Sequence, residues 1–413
     1  MASKRFCALL TFSLATILAP AMAQKHAAYP SFPIHVAELT SSGGVAGDEF
    51  GISVAVCGNT VVVGASELNS STLGAAYVFV EGTGGWSSMT QTAILTASDA
   101  TSGELFGSFV ACDGNTVVVG APHATVGANS YQGEAYIFVK PAGGWTNMTE
   151  TARLTSADGA GDDFFGYSVA ISGQTVVIGA PQASEQVAFQ GKAYVYLQPD
   201  NGWQTTSNFN AELTAANAQF DAGLGASVSI SGKTIVAGTP NGGGPGASYV
   251  YVEPATGWST TSAYAAQLTA SDGSPGDAFG SCVSISRNTV AVGAYQTSST
   301  YVFVEPAGGW ADMTENAKLT ANGGPGDNFG YSLWLTGNTL IVGAANNPSA
   351  TAAYAFVEPT GGWVTTSNYQ AKLNAPGASI FGFSVAANPS LIVSGSIGNN
   401  NLQGAAYVFT NKR

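Results

Sequence analysis

The sequence contains few charged side chains, and basic residues are the scarcest. Charged residues make up 9% of the 413 positions, and 12 Lys and Arg face 25 Asp and Glu, which gives a formal net charge of −13. So few and scattered basic residues argue against nucleic acid and anionic membrane surfaces as partners. The acidic chain is compatible with a cation, a basic protein patch or a neutral glycan, and acidity is also usual for a soluble secreted protein.

Histidine is too rare for most catalytic or metal centres. The three histidines are His26, His35 and His123, and no pair of them has the spacing of metal ligands. No Ser/His/Asp or Cys/His combination suggests nucleophilic catalysis. Asp162 and Asp163 are adjacent acids, but a glycosidase pair must flank a bond at a defined separation. We therefore expect a protein that is not an enzyme.

Long apolar runs are also missing, except at the start of the chain. Lys4 and Arg5 precede an apolar run over residues 6–18, and small residues end at Ala23. This pattern predicts a secretory signal peptide over residues 1–23 that is cleaved after Ala23, followed by a linker over residues 24–35. The run is too short to span a bilayer comfortably, so we predict no transmembrane anchor. The expected location is extracellular, periplasmic or at the cell surface.

Only three cysteines remain after the predicted cleavage. They are Cys57, Cys112 and Cys282, and an odd number leaves at least one free thiol. Two interpretations are open for the first two. Cys57 and Cys112 fall near the hairpin tips of adjacent repeats and could form a disulfide, or all three could pack as small apolar side chains.

One segment of the chain is repeated seven times. Residues 165–181 contain two β-type runs joined by turn-forming residues. In the first run, Phe165, Tyr167, Val169 and Ile171 should share one face and small residues the other, which predicts a strand packed between two neighbouring sheets. In every copy a large apolar residue precedes a glycine, and a second glycine follows 13 residues after the first. This fixed spacing indicates a rigid hairpin joined by variable loops. The seven opening residues are Phe50, Phe106, Phe165, Leu224, Phe279, Phe329 and Phe381.

The Phe-Gly openings, with the Gly-Ala-Pro triplets that begin at Gly120 and Gly179, resemble the FG-GAP repeat. The resemblance covers about residues 36–410, and Leu224 departs from it. It implies the seven-bladed β-propeller found at the head of integrin α chains and in many secreted bacterial proteins, and the loop over residues 271–277 looks more like the bacterial branch. The predicted fold is therefore all-β, with seven four-stranded antiparallel blades forming one domain over residues 36–413.

The two ends of the repeat array complement each other. The seventh copy of the aromatic third strand, residues 407–410, is not followed by the fourth strand that follows the other six. A strand of the fourth type, residues 37–40, stands instead before the first copy. We predict that this N-terminal strand completes the last blade and closes the ring, which leaves only short, protected sheet edges. An open superhelix of sheets is the alternative.

A tryptophan follows glycine between the third and fourth strands of six copies. These residues could be structural anchors packed beside the outer strand or a ring of sugar-binding aromatics, and we favour anchors. Trp334 is different, because it replaces a small residue of an inner strand, and we expect it to fill a space between blades. The six repeated residues are Trp86, Trp145, Trp203, Trp258, Trp310 and Trp363.

Strand direction places two sets of loops on one face, which we call the loop face. The leading loops precede the Phe-Gly motifs, and the variable loops follow the second strands. Variable loops on a rigid scaffold usually carry binding specificity, and the resemblance implies the same face, since integrin α chains meet their ligands there. The variable loops are residues 66–73, 123–132, 182–190, 241–245, 296–300, 346–350 and 397–403.

An acidic residue occurs in six of the seven leading loops. Two interpretations are open. The carboxylates could ring the mouth of the channel and bind Ca²⁺ or another cation, which needs several oxygens at ~2.3–2.6 Å. Alternatively, each could cap its own loop by accepting backbone N–H bonds, which we favour. The six acids are Asp48, Glu104, Asp163, Asp221, Asp277 and Asp327.

The hairpin tips lack the Asp-x-Asp-x-Asp-Gly loop that, as the resemblance implies, holds calcium in integrin-type repeats, so no metal site is predicted there. Asn69 and Asn147 begin glycosylation sequons, which matter only in a eukaryotic source. We expect a secreted, monomeric, non-catalytic binding or adhesion module that recognises an extracellular protein or glycan through the loop face. The alternatives are a secreted carbohydrate-active enzyme with carboxylates at the channel mouth, and a structural surface protein without a small ligand.

Overall fold

A computed structural model describes residues 34–66, 73–241, 243–321, 326–345 and 351–410, with the side chains of residues 34–36 excepted. The predicted signal peptide, residues 24–33 of the predicted linker and Asn69 lie outside the described residues. The chain forms seven antiparallel sheets. The innermost strand of each sheet packs against those of the two flanking sheets, and the seventh packs against the first. The fold is therefore the expected all-β, seven-bladed propeller.

Each blade has four main strands, which we name inner, second, third and outer from the axis outward. The inner strands of blades 1 to 7 are Ser53–Cys57, Phe109–Asp113, Ser168–Ser172, Ser227–Ser231, Cys282–Ser286, Phe329–Thr336 and Phe381–Asn388. The second strands are Thr60–Ala65, Thr116–Ala121, Thr175–Ala180, Thr234–Thr239, Thr289–Ala294, Thr339–Ala344 and Leu391–Ser396. The third strands are Ala75–Val80, Glu134–Val139, Lys192–Leu197, Ala247–Val252, Ser299–Val304, Ala352–Val357 and Ala405–Thr410.

The outer strand of blade 7 comes from the N-terminal end of the described chain, as the sequence predicts. Ile34–Thr40 runs antiparallel to the third strand of that blade, with Glu38 opposite Tyr407 and Leu39 opposite Ala406. This pairing joins the two ends of the repeat array. The outer strands of blades 1 to 6 are Ala93–Thr96, Ala152–Leu154, Ala211–Leu213, Ala266–Thr269, Ala317–Leu319 and Ala371–Leu373.

The connection between the third and outer strands reaches back to the preceding blade. A short piece of it lies parallel to the outer edge of that blade's outer strand, and we call each such piece a strap. Three straps are the two-residue strands Met89–Thr90, Met148–Thr149 and Met313–Thr314. Three more are single-residue bridges at Thr206, Thr261 and Thr366. One short 3₁₀ helix, Tyr295–Thr297, follows the second strand of blade 5.

The two glycines of the repeat meet across each junction between blades. A Cβ atom added to Gly64 of blade 1 would lie 1.9 Å from the carbonyl oxygen of Gly107 in blade 2, and the other six junctions repeat this contact. The glycine after each opening residue has a left-handed backbone, as at Gly51 with φ +96°. The constant spacing of 13 residues therefore records a close contact between backbones of neighbouring blades.

This turn corrects one detail of the sequence prediction. Gly166 has φ +92°, so the alternation of an extended strand does not run through it. Phe165 is fully buried against Tyr194 and Tyr196 of its own blade, whereas Tyr167 is 39% exposed. In blades 1 to 5 the inner strand begins three residues after the opening residue.

The two faces of each blade still differ as predicted. In blade 3, Phe165, Ile178 and Tyr194 belong to the core shared with blade 2. Ala170 and Ala193, on the opposite face, belong to the core shared with blade 4. A face of large side chains thus meets a face of small ones at the junction, which produces close packing between blades.

Cys57 and Cys112 form a disulfide between blades 1 and 2, with their Cα atoms 5.8 Å apart. Cys282 is a free thiol, and burial raises its pKa to about 11. The structure therefore agrees with the disulfide interpretation for Cys57 and Cys112.

Candidate ligand-binding face

Backbone hydrogen bonds join the two sets of loops on the loop face. The N–H of Phe165, at the end of a leading loop, donates to the carbonyl oxygen of Gln132 in the variable loop of the preceding blade at 2.8 Å. Leu224 donates in the same way to Gln190 at 2.9 Å, and Phe50 to Gln403 at 3.1 Å. These bonds join the loops of neighbouring blades at the junctions named. Residues 67–72, 242 and 346–350 of the variable loops lie outside the described residues.

The residue before each opening residue has a left-handed backbone. Phe164 has φ +58°, which is unusual for a bulky side chain. The same conformation recurs in the other blades, and in blade 4 the position is Gly223. It is thus a property of the leading-loop turn that every blade adopts, and only the side chain at this position differs between blades.

Large aromatic side chains are exposed on the loop face of blades 2 to 4. Phe220 is 64% exposed, Tyr131 46% and Phe189 40%. Phe164 is half-buried beside Tyr131, with ring centroids 6.3 Å apart, and Phe189 lies 6.2 Å from Phe220. Each pair joins a variable loop to the leading loop of the next blade. We call Tyr131, Phe164, Tyr167, Phe189 and Phe220 the aromatic surface.

His123 supports one part of the aromatic surface. Its ring centroid lies 4.9 Å from that of Tyr131 and 5.2 Å from that of Phe164. Burial lowers the pKa of the His123 imidazole from its ordinary value, which favours the neutral form. His123 packs against the two rings.

Tyr167 connects the aromatic surface to the axis of the ring. Its centroid lies 5.0 Å from that of Phe109 in the neighbouring blade. Burial raises the pKa of Tyr331 to about 12, with smaller contributions from Tyr167 and Tyr295. The ring centroid of Tyr331 in blade 6 lies 5.5 Å from that of Tyr295 in blade 5 and 5.0 Å from that of Phe383 in blade 7, so aromatic side chains of neighbouring blades meet beside the inner strands.

Four of the six predicted acids cap their own leading loops. The carboxylate oxygens of Asp48, Asp163 and Asp277 each accept a backbone N–H at 2.7 Å, from Val45, Ala160 and Ser274 respectively. Glu104 accepts the N–H of Thr101 at 3.0 Å. These bonds are the arrangement that the loop-capping interpretation describes.

The remaining two acids and the pKa shifts do not define a shared site. Asp221 is exposed and Asp327 is buried. Burial raises the pKa values of Asp48 and Asp163. Within the described ranges, no three His, Cys, Asp or Glu side chains converge where they could hold a metal ion.

Charged clusters at two of the leading loops join neighbouring blades. Lys192 Nζ lies 2.7 Å from Asp158 and 3.2 Å from Glu212. Burial raises the pKa of Glu212 to about 7, and Lys192 partly offsets this effect. Asp272 repeats the arrangement in blade 5, where it contacts Lys318 at 2.6 Å. Because the acid in each case belongs to the loop between two blades, these clusters serve blade docking.

The repeated tryptophans are anchors rather than an exposed ring. Five are at most 9% exposed, and Trp258 is half-buried. Cavities of about 310 Å³ and 250 Å³ lie beside Trp203 and Trp258, between the third strand and the strap. The sequon residue Asn147 is exposed, and its Oδ1 accepts the N–H of Ile94 at 2.8 Å, which places it in a strap.

The aromatic surface had no sequence motif to reveal it. Its members are single aromatic residues in loops rich in Gly, Ser and Asn, and only their presence in such polar loops was a signal. The arrangement presents flat apolar rings on loops that are held by backbone hydrogen bonds. The nearby carboxylates accept hydrogen bonds from their own loops. Such a surface can bind a ligand by stacking.

Comparison with known families supplies a match over most of the repeats. Residues 34–79, 89–138, 148–196, 264–303 and 313–356 match the FG-GAP repeat. Each segment contains the outer strand of one blade and the first three strands of the next, and together the segments cover more than half of the chain. The inner, second and third strands of blades 4 and 7 lie outside the matched segments. A comparison with curated proteins finds no similar sequence. Among the described residues, no helix is long and apolar enough to cross a membrane.

Proposed function

Because this chain belongs to the FG-GAP repeat family, we propose that it is a non-catalytic module that binds an extracellular glycan or protein through its loop face. The observation that carries the proposal is the aromatic surface on blades 2 to 4. Exposed patches of this kind on soluble proteins mark interaction sites more often than isolated apolar residues do.

The way the aromatic side chains are held supports binding. Tyr131 and Phe189 lie in variable loops whose carbonyl oxygens accept N–H bonds from the next blade, at 3.1 Å from Phe164 and 3.2 Å from Gly223. A ligand that stacks on these rings would not have to order the loops, so less conformational entropy would be lost on binding. The apolar faces of sugar rings and the side chains of a peptide both fit such a surface.

A secreted location and a monomeric state belong to the same proposal. They rest on the predicted signal peptide over residues 1–23, with cleavage after Ala23, and on the low charge content. The rival function, a carbohydrate-active enzyme, has less support because Asp48, Glu104, Asp163 and Asp277 cap their own loops.

The test probes arrays of glycans and extracellular proteins with the chain from residue 24 onward, with and without Ca²⁺. A double variant, Phe189→Ala with Phe220→Ala, should weaken binding to any hit at least about tenfold. Val252→Ala and Val364→Ala remove exposed apolar side chains away from the aromatic surface and should leave binding unchanged. Unchanged binding by the double variant would contradict the proposal.

Activity assays separate the rival function. The variants Asp163→Asn and Asp277→Asn, with the unmodified chain, would be incubated with a panel of polysaccharides. We expect no hydrolysis by any of them. Hydrolysis by the unmodified chain that is lost in these variants would favour the enzyme.

A further inference from the structure

The connections between the third and outer strands have two lengths. The repeated tryptophan and the first residue of the outer strand are seven positions apart in blades 1, 2 and 5 and eight apart in blades 3, 4 and 6. In each longer connection a threonine hydroxyl accepts the N–H two residues later, as Thr261 does from Ala263 at 3.0 Å. Two of the longer connections border the cavities beside Trp203 and Trp258. The extra residue therefore accompanies open space between the connection and the third strand in blades 3 and 4.

The residue just before the outer strand usually binds the end of the third strand. In blade 3 this residue is Asn210, and its Oδ1 accepts the N–H of Leu197 at 2.8 Å. Four other blades form the same bond with a threonine, asparagine or glutamine side chain, so a side-chain acceptor here is the common arrangement of the repeat. The acceptors in blades 1, 2, 5 and 6 are Thr92, Thr151, Asn316 and Gln370.

Blade 4 lacks this bond, because Ala265 occupies the position of the acceptor. The N–H of Val252 points towards the connection, since alternate residues of a strand bond on the same side and Val250 accepts the N–H of Ala265 there. No described residue accepts the N–H of Val252. Val252 is also 45% exposed, whereas its equivalents in the five blades with an acceptor are half-buried or buried. Blade 4 therefore presents an unpaired donor where those blades have a closed bond.

The same part of blade 4 contains the most exposed of the repeated tryptophans. Trp258 is half-buried, while the other five are at most 9% exposed. Trp258 and Val252 line the cavity of about 250 Å³, which we call the blade 4 cavity. Tyr264 lines it too, and its ring packs on that of Tyr249 with centroids 4.8 Å apart. An aromatic surface and a free backbone donor thus border one space.

The chemistry of the blade 4 cavity favours an uncharged sugar ring as ligand. The side chains that line it are aromatic, hydroxyl-bearing, aliphatic or small and carry no charge, and the adjacent Glu253 is paired with Lys233 at 3.5 Å. The flat face of an indole packs against the C–H face of a sugar ring, and a sugar hydroxyl supplies the acceptor that a backbone N–H requires. The volume is near the lower limit of small-molecule pockets, ~300 Å³, so the cavity accommodates one ring.

We propose that the blade 4 cavity binds one uncharged sugar unit of a glycan, with the ring against Trp258 and a hydroxyl oxygen accepting the N–H of Val252. The larger cavity of blade 3 does not share this role, because Asn210 already accepts the N–H of Leu197 and Trp203 is 4% exposed. Strand direction places these connections on the side of the ring opposite to the loop face. The assignment is therefore independent of what the loop face binds.

An NMR titration of backbone amides and indole N–H groups tests the proposal. The probes are neutral tetrasaccharides of glucose, mannose, galactose and N-acetylglucosamine, added to the chain from residue 24 onward. At least one should shift the Val252 amide and the Trp258 indole resonances to saturation and leave the Leu197 amide unchanged. The double variant Phe189→Ala with Phe220→Ala should show the same shifts, because the loop face is not involved. If no tetrasaccharide shifts the Val252 amide, the proposal is overturned.

Exchanging one residue between blades 3 and 4 gives the sharper test. Ala265→Asn supplies the acceptor found in blade 3, so it should occupy the N–H of Val252 and weaken sugar binding at least about fivefold without lowering Tm. Asn210→Ala, the matched change in blade 3, should leave the affinity for the sugar unchanged. Trp258→Ala should also weaken binding. Equal affinity of the Ala265→Asn variant and the unmodified chain would overturn the proposal. An uncharged glycine–serine peptide that shifts the Val252 amide when no tetrasaccharide does would also overturn it, because the occupant would then be a peptide.

Discussion

The junction between blades 1 and 2 and the junction between blades 6 and 7 are held by different means. Both keep the glycine contact and a serine hydroxyl bond, from Ser53 to Gly107 at 2.8 Å and from Ser332 to Gly382 at 2.9 Å. At the first junction the disulfide between Cys57 and Cys112 is added, together with a strap. The second has neither among the described residues.

In the four junctions from blade 2 to blade 6, a hydrogen bond takes the place of the disulfide. There the last side chain of an inner strand accepts a backbone N–H from the hairpin tip of the next blade. In blade 7 the donor position is Pro389, which has no N–H. The four bonds run from Gly173 to Asp113 at 2.6 Å, Gly232 to Ser172 at 3.2 Å, Arg287 to Ser231 at 3.0 Å and Gly337 to Ser286 at 3.1 Å.

An apolar contact takes the place of these bonds at the junction between blades 6 and 7. Trp334 packs against the core that contains Phe381, Val385 and Ala387. Ala387 is smaller than its equivalents Ile171 and Leu335, so it leaves room for the indole. The comparison teaches that neighbouring blades can be held together at this part of the repeat by a disulfide, by a hydrogen bond or by the packing of a large side chain.

The largest expected effect comes from Trp334→Ala, which breaks the junction between blades 6 and 7. It should lower the free energy of unfolding by about 2–4 kcal/mol, below the cost of a fully buried tryptophan because Trp334 is half-buried. Denaturant unfolding measures this loss. Adding Ala387→Ile should restore part of it, and no recovery in the double variant would show that the two side chains do not share one space.

Removing the disulfide should weaken the junction between blades 1 and 2. The variant Cys57→Ser with Cys112→Ser should lose about 2–3 kcal/mol of unfolding free energy, because the unfolded chain is no longer cross-linked. Cys282→Ser is the matched control and should change stability little. The account would be wrong if both variants had the same stability.

Transferring the disulfide makes the two junctions alike. Thr336 and Ala387 occupy the positions of Cys57 and Cys112, so Thr336→Cys with Ala387→Cys should form a bond and raise stability by about 1–2 kcal/mol. Peptide mapping under non-reducing conditions identifies the bond. Two free thiols in the folded variant would show that the junctions are not equivalent.

The smallest effect distinguishes the hairpin tips. Ser286→Ala removes a hydroxyl that accepts the N–H of Gly337 and should cost about 0.5–1.5 kcal/mol. Thr336→Ala, at the same position of blade 6, should cost less because Pro389 offers no N–H. Equal losses in thermal unfolding would contradict this reading of Pro389.

The sequence predicted the fold because its signals are backbone requirements. Two glycines at a fixed separation and an orphan strand before the first repeat specify the junctions, the seven blades and the origin of the last outer strand. The straps were not predicted, because a pairing over one or two residues is too short to show the alternation of a strand. Met89, Met148 and Met313 do recur six residues before the leucine of their outer strands, and that spacing was the available signal. The aromatic surface was not predicted, because single aromatic residues such as Phe220 form no sequence pattern. The role of Asp163 could not be decided from the sequence, because a carboxylate at this position fits a cation site and a loop cap equally well until its hydrogen-bond partner is known.

Closure by the N-terminal strand is tested most directly by a cross-link between the two ends. Ala37 and Val408 are opposite each other in the last blade, so Ala37→Cys with Val408→Cys, in a Cys282→Ser background, places two thiols across the seam. We predict an intramolecular disulfide in the folded monomer, identified by mass spectrometry of the linked peptides, with a higher Tm than the reduced form. Thiols that stay reduced in the native monomer, or link only separate molecules, would contradict the closed ring.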